Sequence, residues 1–430
     1  MTKQTIKQKN YNKITLENGL RIITIPQKET KAVTILVLVG TGSKYETKNI
    51  SGVSHFLEHM FFKGTKKRKT PTEIAEFLDR LGGDYNAFTS EEMTGYYAKV
   101  EANHFKEALD WVADIFLHST LPIQEIEKER GVIIEEIKMY EDNPMRYIGE
   151  IWKELLYGDQ PAGWDIAGTR KTVSQIKRED LLKYMATQYV AKNTIICVSG
   201  NFQEQEAISK VKNQFLNIRT GTYKDKPKVN ECQTKPQTKL LYKDIKQTHI
   251  ALGVRAYNIF HPDRFVLDIL AILLGGMMSS RLFNKVREKL GAAYYVRTNY
   301  ESDTDTGEVV TFTGVDNAKL EKVIKTILQE YKKITKEKLG AAELKKVKDC
   351  YKGRLILGLE SSDDKASFYA TQELLMKNIL TPEQIIEKIE KITAVDIQRV
   401  ARDIFVPEKL NFAILGKHKD DKLFQKLLHF

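Results

Sequence analysis

The sequence predicts an α+β protein made of two homologous tandem domains, each a mainly antiparallel sheet packed with helices. Three observations carry this expectation. Short β-branched runs and amphipathic helical stretches are interspersed along all 430 residues. One order of elements occurs twice, at a period of about half the chain. Between the two copies, residues 220–239 are polar and lysine-rich and read as a linker. The expected division is a first domain over residues 1–219 and a second over 240–430.

In the first copy, Leu16-Glu17-Asn18-Gly19-Leu20 forms a turn into a strand at residues 21–25. The run 33–39 is too short and too β-branched for a helix and reads as a buried strand. Helices are expected at 53–62 and 71–81, strands near 85–90 and 92–100, and a long amphipathic helix at 102–118. Pro122 opens a charged helix from about residue 124 to 142, which Asn143-Pro144 stops. A helix at 178–189 and a strand at 193–199, ended by Gly200-Asn201, complete this copy. In the second copy, 248–254 matches the buried strand and 263–274 the helix after it. Leu290-Gly291 leads into 294–299 as Leu81-Gly82-Gly83 leads into 85–89. The stretch 318–334 matches the long helix and 340–356 the charged one. Leu380-Thr381-Pro382 starts the closing helices, and 410–415 with Gly416 matches the last strand of the first copy.

Composition excludes several classes. With 42% hydrophobic and 29% charged residues, 10 Pro and 25 Gly, the chain is neither disordered nor fibrous. Its longest charge-free apolar stretch, 269–278, is far short of the roughly 18 residues a membrane helix needs. Residues 1–10 have no apolar core and no arginine-rich pattern, so neither a signal peptide nor a transit sequence is expected, and the location expected is cytoplasmic. Cys197, Cys232 and Cys350 lie far apart with no CxxC pair, which argues against a disulfide framework and a thiolate zinc site. Cys197, inside the apolar run 195–198, reads as a buried strand residue. The net charge of +11 comes from scattered lysines, apart from the cluster at 63–69, with no interleaved aromatics to stack bases. Neither a nucleic-acid partner nor a membrane partner is expected.

The segment Ser54-His55-Phe56-Leu57-Glu58-His59-Met60 is the most informative. Its two histidines are spaced i, i+4 on an expected helix, so both imidazoles leave one face and can share a zinc ion. Glu58 stands beside them, where a carboxylate can take a proton from a water activated by the metal. A catalytic zinc needs a third protein ligand and an open position. Candidates lie in the charged helix, where Glu129 and Glu136 are seven residues apart and share a face. Val132 and Ile133 lie between them on that side, which is expected to set both carboxylates near an apolar core. Most other acids of this helix read as a solvated face.

An HxxEH motif followed by a glutamate-bearing VIxEEI-like helix resembles the M16 metallopeptidases, the inverzincins that include pitrilysin and the mitochondrial processing peptidase. Glu136, 77 residues after His59, matches the third zinc ligand of that family, and Glu129 its supporting glutamate. Glu135 projects about 100° away and ranks second as ligand. The segment Leu81-Gly82-Gly83-Asp84-Tyr85-Asn86-Ala87-Phe88-Thr89 through Thr94 is similar to the family's GGxxNAxTxxExT edge strand. Ser279-Ser280-Arg281-Leu282-Phe283 through Tyr294 resembles its SSRLFxxLREKxGLxY element, with Met277 and Ala292 as minor departures.

The resemblance covers essentially the whole chain and implies a zinc endopeptidase forming half of a clamshell chamber. It implies one Zn2+ per chain, held by His55, His59 and Glu136, with Glu58 as general base. Arg287 and Tyr294 are implied to contact the substrate, Tyr294 at the oxyanion, and a peptide or unfolded polypeptide to pair with the strand at Asn86, Ala87 and Phe88. The helix matching His55 to His59 in the second copy, Arg264-Phe265-Val266-Leu267-Asp268, has no histidine pair, so that domain is expected to bind no metal. Half-size members pair two chains, so a homodimer is implied. The alternative is a non-catalytic scaffold or partner subunit of a heteromeric peptidase.

Overall fold

The computed structural model describes residues 10–420 and 422–429, and its strands form two sheets. Residues 1–9, from which the absence of a leader was read, lie outside the described residues. The first sheet contains β1 (Asn12–Thr15), β2 (Arg21–Pro26), β3 (Ala32–Val39), β4 (Asp84–Thr89), β5 (Thr94–Glu101) and β6 (Thr194–Gly200), ordered β1-β2-β6-β3-β5-β4. The second contains β7 (Gln237–Tyr242), β8 (Gln247–Arg255), β9 (Ala293–Ser302), β10 (Gly307–Asp316) and β11 (Leu410–Gly416), ordered β7-β11-β8-β10-β9.

Leaving out β1, the two orders are the same. Each sheet also has a single parallel pair at the same place, β2 with β6 and β7 with β11. The duplication read from the sequence is thus present in strand order and direction, and the α+β, mainly antiparallel expectation holds. The strand at 33–39 is buried on both faces, as its unbroken β-branched and leucine run requires. Cys197 lies buried in β6, and burial pushes its thiol up. No described helix is long and apolar enough to cross a membrane.

In the first half of the chain the helices are α1 (Val53–Met60), α2 (Pro71–Asp79), α3 (Phe105–His118), α4 (Ile123–Asp142), α5 (Pro144–Tyr157), α6 (Arg170–Gln175), α7 (Arg178–Gln188) and α8 (Glu204–Gln214). The second half has α9 (Arg264–Leu274), α10 (Leu320–Lys336), α11 (Ala341–Leu357) and α12 (Ser362–Met376), followed by the closing helices. Thr70 caps α2 by accepting from the Glu73 N–H at 3.2 Å, with Pro71 at its first position. Asn143 caps α5 in the same way, so Asn143-Pro144 both ends one helix and starts the next.

The chain divides into two compact units that differ from the contiguous division expected at residues 220–239. The first takes the chain up to Glu135, then Asp165–Pro227 and Leu357–Thr381. The second takes Glu136–Trp164, Lys228–Ile356 and the chain from Pro382 onward. The cause is an exchange of helices. From the second half, α12 packs on β3 and β6 of the first sheet, setting Tyr369, Ala370 and Leu374 against Leu36, Leu38 and Cys197. Hydrogen bonds fix its orientation: Thr34 to Ser362 at 2.7 Å and Lys99 to Asp363 at 2.6 Å. From the first half, α5 packs on β11 and β8, setting Ile148, Ile151 and Trp152 against Ala251, Phe312 and Ala413. The Trp152 and Tyr157 side chains donate to buried Glu308 at 3.0 and 3.1 Å. Each of the buried leucine, isoleucine and phenylalanine side chains in these contacts stabilises its unit by about 1.5–3 kcal/mol. An amphipathic pattern tells that a helix buries one stripe; it does not tell which sheet covers it.

Candidate metal centre

Helix α1, which carries His55, Glu58 and His59, starts at Gly52, whose φ of +93° is left-handed. A Cβ there would meet the Ala167 carbonyl oxygen at 2.5 Å, so glycine is required twice over. Glu46 caps the helix from outside, accepting the N–H groups of Gly52 at 2.7 Å and Ser54 at 2.8 Å. Burial pushes the Glu46 carboxyl up to about 8, against the pull of those two bonds. The Ser54 hydroxyl donates to Tyr184 on α7, which ties down the same end.

From this helix the His55 and His59 rings meet edge to face, with centroids 4.5 Å apart. Their Nε2 atoms are 3.3 Å apart. Two nitrogens on a tetrahedral zinc at roughly 2.0–2.1 Å stand about 3.3–3.4 Å from each other, so this spacing fits the ion. Glu136 brings a carboxylate oxygen to them, and the ligand atoms of His55, His59 and Glu136 all lie within 4.8 Å of one another. No other such group of His, Cys, Asp and Glu occurs among the described residues. The division between units falls inside α4, between Glu135 and Glu136, so one continuous helix carries both Glu129 and Glu136.

Glu129 is buried beside His59 and accepts from its Nδ1 at 3.0 Å through Oε1. Its other oxygen, Oε2, meets Lys63 Nζ at 2.7 Å. Burial disfavours the Glu129 carboxylate, but the His59 and Lys63 bonds outweigh it and hold its pKa below the usual range. With Nδ1 engaged, His59 presents Nε2 as the metal donor, the arrangement expected when a carboxylate supports a ligating histidine. The Tyr140 hydroxyl, one turn beyond Glu136 on α4, donates to the Glu136 carboxylate. Glu58 accepts from the Thr89 hydroxyl of β4 at 2.6 Å, so the edge strand holds the expected base.

One sequence expectation needs correction. Ile133 is buried between the two glutamates, but Val132 is 51% exposed and does not belong to an apolar core. Val132 and Met139 are one heptad apart, and both reach solvent on the face that also carries Glu136. Glu135, ranked behind Glu136, is exposed.

Asn86, Ala87 and Phe88 lie in β4, the edge strand of the first sheet. The Asn86 side-chain oxygen accepts the Ala87 N–H at 2.9 Å, and the Phe88 ring packs into the core beneath α12. In the second unit, Arg287 sits on a π-helix, Phe283–Lys289. Its guanidinium lies 4.8 Å from the Phe283 ring and 5.4 Å from that of Tyr294, which is 74% exposed at the start of β9. At the helix matching α1, Arg264 and Asp268 take the i, i+4 positions of the two histidines. Burial pushes the Asp268 carboxyl up to about 7, against the pull of Arg264.

Glu46, Lys63 and Tyr140 were not singled out from the sequence, and Thr89 only as part of its strand motif. Lys63 follows His59 and Tyr140 follows Glu136 at i+4, a signal present in the sequence but common on any helix. The lysine cluster at 63–69 is held by acids: Lys63 by Glu129, and Lys67 and Arg68 by Asp110 and Asp114.

Known proteins resemble this chain along most of its length. Residues 21–170 match the model of insulinase, peptidase family M16, and residues 175–350 that of the peptidase M16 inactive domain. The chain is 37% identical to the uncharacterized zinc protease YmxG of Bacillus subtilis, over 92% of this chain and 95% of that one. It is 30% identical to the uncharacterized zinc protease ML0855 of Mycobacterium leprae, over 99% and 96%. Among solved structures, a protease from Helicobacter pylori superposes with a TM-score of 0.89 at 27% identity, covering 94% of this chain and 99% of that one. With both models matched in tandem and relatives alike over nearly their full length, this chain belongs to peptidase family M16.

Proposed function

We propose that the chain is a zinc-dependent endopeptidase acting on peptides or unfolded polypeptide segments. The carrying observation is the convergence of His55, His59 and Glu136 within 4.8 Å, with Glu58 on the same helix as the two histidines. The relatives named zinc proteases support the same reading. His55, His59 and Glu136 hold the ion, which when bound polarises a carbonyl and acidifies water. Glu129 orients His59. Glu58 takes a proton from the attacking water and returns it to the leaving amine.

For Tyr294 and Arg287 the reading rests on the family resemblance: a hydroxyl donated to the developing oxyanion and a cation that holds the substrate. The unpaired side of β4 offers main-chain donors and acceptors to an extended peptide, a grip that tolerates many sequences. A cytoplasmic homodimer with one zinc per chain completes the proposal.

Wild-type protein given a mixed peptide library is expected to cleave it, to stop after chelation, and to recover at about one zinc per chain. Protein that binds no zinc and leaves every peptide intact would instead be a non-catalytic subunit. Thr89→Val removes the bond to Glu58 with little change in volume. It is expected to lower kcat about tenfold, the scale of one hydrogen bond to a charged group, with KM and zinc content unchanged. Steady-state kinetics checks it; an unaltered kcat would mean that Glu58 is positioned without Thr89.

A further inference from the structure

We propose that Lys63 is a positioning residue of the zinc site, acting on His59 through Glu129; this rests on the zinc reading above. Lys63 lies in the turn that continues α1, its N–H donating to the Met60 carbonyl at 3.1 Å. It follows His59 by four residues, just past the helix end, and its side chain reaches the same carboxylate as His59 does. Glu129 comes from α4 and closes a bridge across that pair, Oε1 to His59 Nδ1 at 3.0 Å and Oε2 to Lys63 Nζ at 2.7 Å. Each carboxylate oxygen has its own partner, which fixes the plane of the carboxylate and through it the plane of the imidazole.

Both groups are largely withdrawn from solvent, with side-chain exposures of 24% for Lys63 and 7% for Glu129. A metal-bound His59 is a neutral donor, so Lys63 is the charge that balances Glu129. Without it a carboxylate of low exposure would keep one neutral partner and be free to turn towards water. Ligand-supporting partners of this kind typically govern metal affinity by 10–100-fold.

The competing account gives the opposite sign. If Lys63 were only a nearby positive charge, it would repel the ion, and its removal would tighten zinc binding. The test is zinc affinity, measured by competition with a chromophoric chelator, for wild type, Lys63→Met, Lys63→Arg, Glu129→Gln and the Lys63→Met/Glu129→Gln double variant. Lys63→Met is expected to bind zinc about 10–100-fold more weakly. Lys63→Arg should return to within about threefold of wild type, since Arg keeps the charged donor. The double variant should bind no more weakly than Glu129→Gln alone, because Lys63 acts through that carboxylate. The visible spectrum of the cobalt-substituted Lys63→Met protein should shift as the His59 ligand reorients.

Zinc binding by Lys63→Met that is unchanged or tighter overturns the proposal, as does a further loss in the double variant. If Lys63→Met fails to fold, Lys63→Gln replaces it under the same criteria. Wild type that binds no zinc, or His59→Ala that binds it as tightly as wild type, would sink the zinc reading itself.

Discussion

Glu58→Gln retains zinc and loses peptide cleavage. The amide keeps the size of the carboxylate and can still meet the Thr89 hydroxyl, which lies 2.6 Å from Oε2 in the native chain. It cannot accept a proton from the attacking water. General-base catalysis contributes about 10²–10⁴-fold, so kcat should fall by that factor while zinc content stays at one per chain. Zinc analysis of the purified variant with turnover of a peptide substrate measures both sides. Full activity with zinc in place would remove Glu58 from the mechanism.

His59→Ala loses metal and cleavage together, and Glu136→Gln follows it more mildly. A structural zinc held by four ligands binds with about 10–16 kcal/mol, so each ligand contributes roughly 2.5–4 kcal/mol. Losing the His59 imidazole should weaken zinc binding by roughly 10²–10³-fold, and it also strands the Glu129–Lys63 pair. Metal content after gel filtration in zinc-free buffer reads this directly. His59→Ala that kept its zinc would mean that the donor set is not His55, His59 and Glu136. Taken with Glu58→Gln, it separates holding the ion from using it.

How much of this was legible in the sequence depends on distance along the chain. The histidine pair and Glu58 stand on one short helix, where spacing alone sets the face. Glu129 and Glu136 share a face by the same rule, but choosing between them as ligand needed the family pattern, because both are carboxylates near the same histidines. Val132 was misplaced because a helix face seven residues long cannot tell core from a solvent-facing wall. The bonds from Thr89 to Glu58 and from Lys63 to Glu129 join separate elements, and no local rule announces them. The π-helix around Arg287 winds more widely than the 3.6 residues per turn that a helical periodicity assumes, so no such pattern marks it. The repeat made the duplication of elements legible, whereas the strand order within each sheet and the destinations of α5 and α12 were not.

The exchange of α5 and α12 also bears on how the chain is made. When the first half has left the ribosome, its sheet still lacks the helix at Ser362–Met376 that covers β3 and β6. That half already carries α5, whose partner strands have yet to be synthesised. Neither half can finish its core vectorially, so the last closing step for both waits on the C-terminal region. Long-range closure of this kind is slow and leaves apolar surface open to chaperones in the interval. Translation rate and chaperone supply, more than local helix propensity, would then govern the yield of folded protein.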